Sequence, residues 1–158
     1  SERHIVKALI AAHERGVKVR VLLDPNKDAF GRQKNGIPNR QVASELYSAG
    51  IDVRWCDTHG EQCHSKMMLK YNAQSSELIL GSANFTARNL KNYNLETDLR
   101  VIGTPEQTIF IDANQYFNTA WSNLKGRQIS VDYASYADES TWKYGVYRVM
   151  EWSGLSTF

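Results

Sequence analysis

The stretch Ile5-Val6-Lys7-Ala8-Leu9-Ile10-Ala11-Ala12-His13-Glu14-Arg15-Gly16-Val17-Lys18-Val19-Arg20-Val21-Leu22-Leu23-Asp24 decides the fold class. Ile5, Val6, Leu9, Ile10 and His13 recur at helical spacing, and Gly16 stops the pattern as a glycine just past a helix end does. Val17 to Leu23 alternates and then turns continuously apolar, as a buried strand does, until Asp24-Pro25-Asn26 breaks it. The pair then repeats. Pro38 suits a helix start, Val42, Leu46 and Tyr47 mark a short helix closed by Gly50, and Ile51 to Cys56 reads as a second strand. Between the pairs, residues 25–37 hold Gly31, Gly36, Asn26 and Asn35 and read as a loop lying over a site. Helix–strand–helix–strand predicts an α/β layered sandwich with a mixed, largely parallel sheet flanked by helices. Such folds usually begin on a central strand, so a chain that opens inside a helix is expected to be truncated at its N-terminus.

Outward from that core, Ser65 to Tyr71 and Glu77 to Leu80 read as strands joined by the polar turn at residues 72–76. Gly81 to Lys91 reads as a turn with one helical turn, and Leu95 to Ile102 as a further strand. Thr104 and Pro105 have the chemistry of a helix cap and first position, and Ile109, Phe110, Ala113, Phe117 and Trp121 mark one apolar helix face. From Ser122 the character changes: Tyr133, Tyr136, Trp142, Tyr144, Tyr147 and Trp152 are spaced through polar residues, as aromatics that cover a sheet or a domain boundary are.

With 158 residues, 42% apolar and 23% charged, the chain suits one globular domain. A net charge of +2 argues against a strongly electrostatic nucleic-acid binder but leaves room for a local basic groove at a phosphate site. No apolar run approaches the ~18 residues of a membrane span. The opening Ser1-Glu2-Arg3-His4 is not a secretory leader, and this end indicates no compartment. The two cysteines lie in Cys56-x2-His59-x3-Cys63-His64, four zinc-ligating residue types within nine positions. A tetrahedron is hard to close from so short a run, so the expectation is no metal and two half-buried thiols.

Three short motifs carry chemistry. In His64-Ser65-Lys66, residues i and i+2 of a strand share a face, which sets an imidazole beside an ammonium: a nucleophile or general acid next to a charge clamp for phosphate. Gly81-Ser82-Ala83-Asn84 follows a short hairpin and offers a hydroxyl, a carboxamide and close backbone approach to an anion. Asn92-x-Asn94-x-Glu96 then alternates three polar groups on one face, where Glu96 could accept from the distal ring nitrogen of His64 and fix its tautomer.

In this order the motifs resemble the phospholipase D superfamily, whose pattern is H-x-K-x4-D, then G-S-x-N, then a downstream glutamate. The resemblance runs from about Glu2 to Trp121 and includes the strand Val19 to Asp24 and the helix start Pro38-Asn39-Arg40. It departs from the pattern at one place: Tyr71 stands where the motif has its aspartate. In the family that acid resembles a structural support, so its loss bears on geometry more than on chemistry.

The resemblance implies a cofactor-free, metal-independent phosphodiesterase hydrolase working through a phosphohistidine. It implies His64, Lys66 and Glu96 as catalytic residues and Ser82 and Asn84 as substrate-binding ones. It divides the chain into a catalytic half-domain at 1–123 and an aromatic-rich extension at 124–158 packing on it. The family needs two histidines from pseudo-symmetric half-sites. Here His4, His13 and His59 are followed two residues on by Val6, Arg15 and Glu61, so the second half is expected from a missing N-terminal domain or from a homodimer. A phospholipid is the favoured diester. The alternatives are an endonuclease homodimer on the same half-site and a catalytically silent module that binds phosphodiesters.

Overall fold

In a computed structural model of the chain, the described residues are 2–29, 32–91 and 93–153. Helix α1 spans Arg3–Glu14, with the Glu2 side chain accepting from the His4 amide at its start and Val6 buried. It ends as its sequence predicts. Gly16 at φ 85 and its counterpart Gly50 at φ 86 take the left-handed conformation that lets the chain turn out of α1 and α2, the latter at Asn39–Ser48. Strand β1 is Arg20–Leu23. The loop expected at residues 25–37 contains a short antiparallel pair, β2 (Asp28–Ala29) and β3 (Arg32–Gln33), while Phe30 and Gly31 lie outside the described residues.

Strand β4, Asp52–Cys56, pairs in parallel with β1, from Arg20 opposite Asp52 to Leu23 opposite Trp55. A second sheet is the meander β5 (Met67–Tyr71), β6 (Ser76–Gly81) and β7 (Asp98–Gly103), antiparallel throughout. Helix α3 is a single turn at Ala87–Leu90, and α4 covers Thr108–Trp121. Strand β8, Ser130–Asp132, adds antiparallel to β4 and completes the order β1-β4-β8. Helix α5 closes the chain at Thr141–Ser153.

The α/β class stands, but the largely parallel sheet does not. β1 with β4 is the one parallel pair among the described residues. The reason is connection length. The four residues between β5 and β6 can close a hairpin but cannot carry a chain back for a parallel strand, which takes a dozen or more. The α4 start also shifts: Gln107 is its N-cap, and the Gln107 carboxamide accepts the Thr104 amide at 3.1 Å, so Thr104 and Pro105 form a turn ahead of the helix. Ile109, expected on the apolar face, is exposed, whereas Phe110 is fully buried.

The main core gathers Val6 from α1, Val42, Ala43 and Leu46 from α2, and Val53 and Trp55 from β4. Tyr133 and Tyr147 enter the same cluster from the C-terminal segment. Trp55 is entirely buried, and its indole N–H donates to the Tyr133 carbonyl at 2.8 Å, so the largest core side chain leaves no polar atom unpaired. At the start of α5, burial would raise the Asp138 carboxyl, but hydrogen bonds from Lys143 and Ser140 overcome it and hold the group at about 2.

Candidate active site

Strands β1 and β4 run parallel, so their C-terminal ends face the same way, the edge where open α/β sheets place their chemistry. Asp24 follows β1 there, and Cys56 ends β4 there. A loop leads from Cys56 back to Cys63 and directly into His64-Ser65-Lys66. Its first residue is fixed by the Asp57 amide donating to the Ile129 carbonyl at 2.9 Å and by the Gln128 side-chain carboxamide donating to the Asp57 carboxylate at 2.8 Å.

The two cysteines correct the sequence expectation. Cys56 and Cys63 are joined in a disulfide, with Cα atoms 6.1 Å apart, so neither is a free thiol. Proximity explains it: the loop returns to the strand end it left, a closure that residue spacing alone does not reveal. With both sulfurs bonded to each other, the Cys56, His59, Cys63, His64 run cannot act as a four-ligand metal set.

His64, Ser65 and Lys66 lie just ahead of β5 rather than inside it, and they are fastened from several elements. The Cys63 amide donates to Asp24 Oδ2 at 2.7 Å. The Ser65 hydroxyl shares a 2.8 Å hydrogen bond with the Tyr116 hydroxyl of α4. The Gly81 amide reaches the Lys66 carbonyl at 3.4 Å, extending the β5–β6 ladder past Met67 and Leu80. The Lys66 ammonium turns back to the His64 carbonyl at 2.7 Å. The imidazole itself is exposed.

Beside this segment, Ser82 and Glu96 meet across the end of β6 and β7. Ser82 Oγ donates to Glu96 Oε2 at 2.6 Å and accepts the Thr97 amide at 3.0 Å. The other carboxylate oxygen of Glu96 accepts from the carboxamide of Asn89, a buried residue of α3. Thr86 caps α3 by accepting the Asn89 amide at 3.4 Å and donates its hydroxyl to the Asn89 carboxamide oxygen at 2.6 Å. The expected contact between Glu96 and the His64 ring is not formed among the described residues; the carboxylate oxygens are instead engaged by Ser82 and Asn89. Asn84 and Asn94 are exposed, and Asn92 lies outside the described residues.

Gly81 sits where no other residue fits. A Cβ there would overlap Asp98 Oδ1 and the Thr97 carbonyl oxygen and lie 2.7 Å from Asp98 Cα. Asp98 Oδ1 is also the acceptor for the Ala83 amide at 3.2 Å. The glycine therefore lets β7 come close enough to hold the Ser82–Ala83 backbone in place.

Charge follows from this packing. Burial pushes the Lys66 ammonium below the usual lysine range, and the negative charges of Glu96 and Asp24 partly offset it. Titration of labelled Lys66 by NMR is expected to show a midpoint below the ~10.4 of a free lysine. In Glu96→Gln the midpoint moves lower still, since burial then acts with one fewer opposing charge. An unchanged or higher midpoint in that variant would contradict the arrangement.

Asn89, Tyr116 and Asp98 escaped the sequence reading. Asn89 looks like a surface residue of a polar turn, Tyr116 falls off the apolar stripe of α4, and Asp98 reads as an ordinary strand charge. Each gains its role from a partner in another element. Tyr71, at the motif's acid position, lies at the far end of β5, and its hydroxyl donates to the Pro105 carbonyl at 3.4 Å.

No curated protein matches the chain. A family described as Cardiolipin synthase, PLD-like domain, matches residues 1–121, a span that contains the His64-Ser65-Lys66 segment, Gly81 with Ser82, and Glu96. The chain therefore belongs to the PLD-like domain family of the phospholipase D superfamily.

Proposed function

We propose that this chain is a phosphodiesterase of phospholipase D type that cleaves a phospholipid diester through a phosphohistidine, with His64 as one of two reacting histidines. What carries this reading is the fastening of the segment that holds His64 and Lys66, to Asp24 through the Cys63 amide and to Gly81 through the Lys66 carbonyl, inside a region that matches the family. The preference for a phospholipid rests on the family's description, which names an enzyme of phospholipid chemistry.

In the first step an unprotonated imidazole nitrogen attacks phosphorus, a P–N bond forms and the P–O bond to the leaving alcohol breaks. A general acid gives that alcohol its proton. In the second step a water or alcohol oxygen attacks the phosphohistidine, gives up its proton to the former acid, and releases the histidine. Lys66 meets the charge on the non-bridging oxygens. A site that holds the ammonium beforehand gains more from it than water could, because nothing need reorganise as the charge shifts. Ser82, fixed by Glu96 and Thr97, and Asn84 bind the phosphate from the other side. The second histidine comes from a matching half-site, in another copy of the chain or in another domain.

The test is a rapid acid or base quench during turnover of a phosphatidylcholine substrate, followed by peptide mass analysis. An acid-labile, base-stable adduct on His64 is the expected result if His64 is the nucleophile. An adduct that forms on a different histidine, and accumulates in His64→Ala, assigns His64 as the general acid. Turnover with no histidine adduct under either quench overturns the phosphohistidine route. A second copy predicts activity that rises with dimer formation in sedimentation; activity of a concentration-independent monomer of this chain alone would contradict the need for a matching half-site.

A further inference from the structure

Asp24 follows β1, and its carboxylate holds the segment that carries His64. One oxygen accepts the Asn26 amide at 2.7 Å, and the other accepts the Cys63 amide at 2.7 Å, one residue before His64. The backbone of Asp24 is pinned as well, since the Asn39 carboxamide at the start of α2 donates to its carbonyl at 2.9 Å. The carboxylate thus bridges three parts of the molecule: the end of β1, the turn after it, and the loop that delivers the histidine. A charged acceptor makes the bond to Cys63 stronger than a neutral one would. Cys63 is held at its other end by the disulfide to Cys56, so its backbone and its side chain are both tied down.

The acid that the family pattern places at position 71 could not do this. From Lys66 to Tyr71 the strand covers about 16 Å at ~3.3 Å per residue, so a carboxylate there would brace the hairpin and not the histidine. The negative charge of Asp24 also acts on Lys66, alongside that of Glu96.

We propose that Asp24 is a positioning residue of this site: it sets the place of His64 through the amide of Cys63. The kinetic consequence rests on the phosphodiesterase reading; the positional one does not.

Amide hydrogen exchange and steady-state kinetics on Asp24→Ala, Asp24→Asn and Tyr71→Phe separate the two. In Asp24→Ala, exchange at the Cys63 amide is expected to speed up at least about tenfold, the loss of a hydrogen bond to a charged group, while amides in β6 keep their protection. Turnover falls about 10- to 100-fold in kcat with KM nearly unchanged, because geometry at the reacting atom is lost and binding is not. Asp24→Asn keeps an acceptor oxygen without the charge and falls between wild type and alanine in both measurements. Tyr71→Phe keeps wild-type kcat. Unchanged Cys63 exchange in Asp24→Ala overturns the proposal, as does equal loss of protection in β6, which marks a general structural defect. Faster exchange at Cys63 with unaltered kcat overturns the link to His64. If the wild-type protein, assayed together with its matching half-site, turns over no diester, the phosphodiesterase reading fails and the exchange result alone decides the role of Asp24.

Discussion

Gly81→Ala is expected to cost the protein its site and much of its stability. The added methyl meets the Thr97 carbonyl and the Asp98 backbone, atoms of a neighbouring strand that no rotamer change can move aside. Either β7 is pushed off β6 or the chain bends at Gly81, and in both cases the Ser82–Glu96 and Ala83–Asp98 hydrogen bonds are stretched. Overpacking of this kind costs about 1–3 kcal/mol. Displacing the groups around a reacting phosphorus by even 1 Å costs about 100-fold in rate. Thermal unfolding and diester turnover measured together check both effects. Gly145→Ala supplies the contrast: no atom lies within 4 Å of the added Cβ, and an alanine within α5 is expected to stabilise by about 0.5–1 kcal/mol. A Gly81→Ala protein as stable and active as wild type would mean that the strands are not held at this separation.

Reduction of the Cys56–Cys63 disulfide is the second large effect. The cysteines are 7 positions apart, so the crosslink closes a short ring. On a chain-entropy estimate, a ring of that size stabilises the folded state by about 2.5 kcal/mol. Because the ring ends one residue before His64, its opening also frees that residue from one of its two ties at Cys63. A dithiol reductant is expected to lower the denaturation midpoint and the activity of the oxidised protein, with two thiols appearing on titration as the disulfide is reduced. The Cys56→Ser, Cys63→Ser double variant starts at the reduced level in both and does not respond to reductant. Equal midpoints with and without reductant, once the two thiols are titrated, would remove the disulfide from the account.

The residues that declare themselves in sequence are those whose meaning is local. Gly16 and Gly50 end helices through their own backbone freedom. What sequence hides is partnership across distance. Asp24 and Cys63 are 39 positions apart, and only folding shows that one holds the other. Alternation gives Glu96 a face that suits a partnership with His64. Alternation says nothing about which neighbour arrives first, and Asn89, only 7 residues away on a capped turn, arrives with Ser82. The extent of parallel pairing is hidden for a related reason: β1 and β4 are joined through a helix, whereas β5 and β6 are joined by a hairpin too short for a parallel return. The C-terminal aromatics carry no clear period, yet Tyr133 and Tyr147 lie in the same core as Trp55.

The most direct measurement on the central claim is diester turnover by wild type against His64→Ala, with both proteins shown by circular dichroism to be equally folded. His64 is exposed, so its replacement removes chemistry without opening a cavity. The phosphodiesterase account predicts a loss of at least about 1,000-fold in kcat, the scale on which removal of a reacting group acts. Turnover by His64→Ala equal to that of the wild type would contradict it.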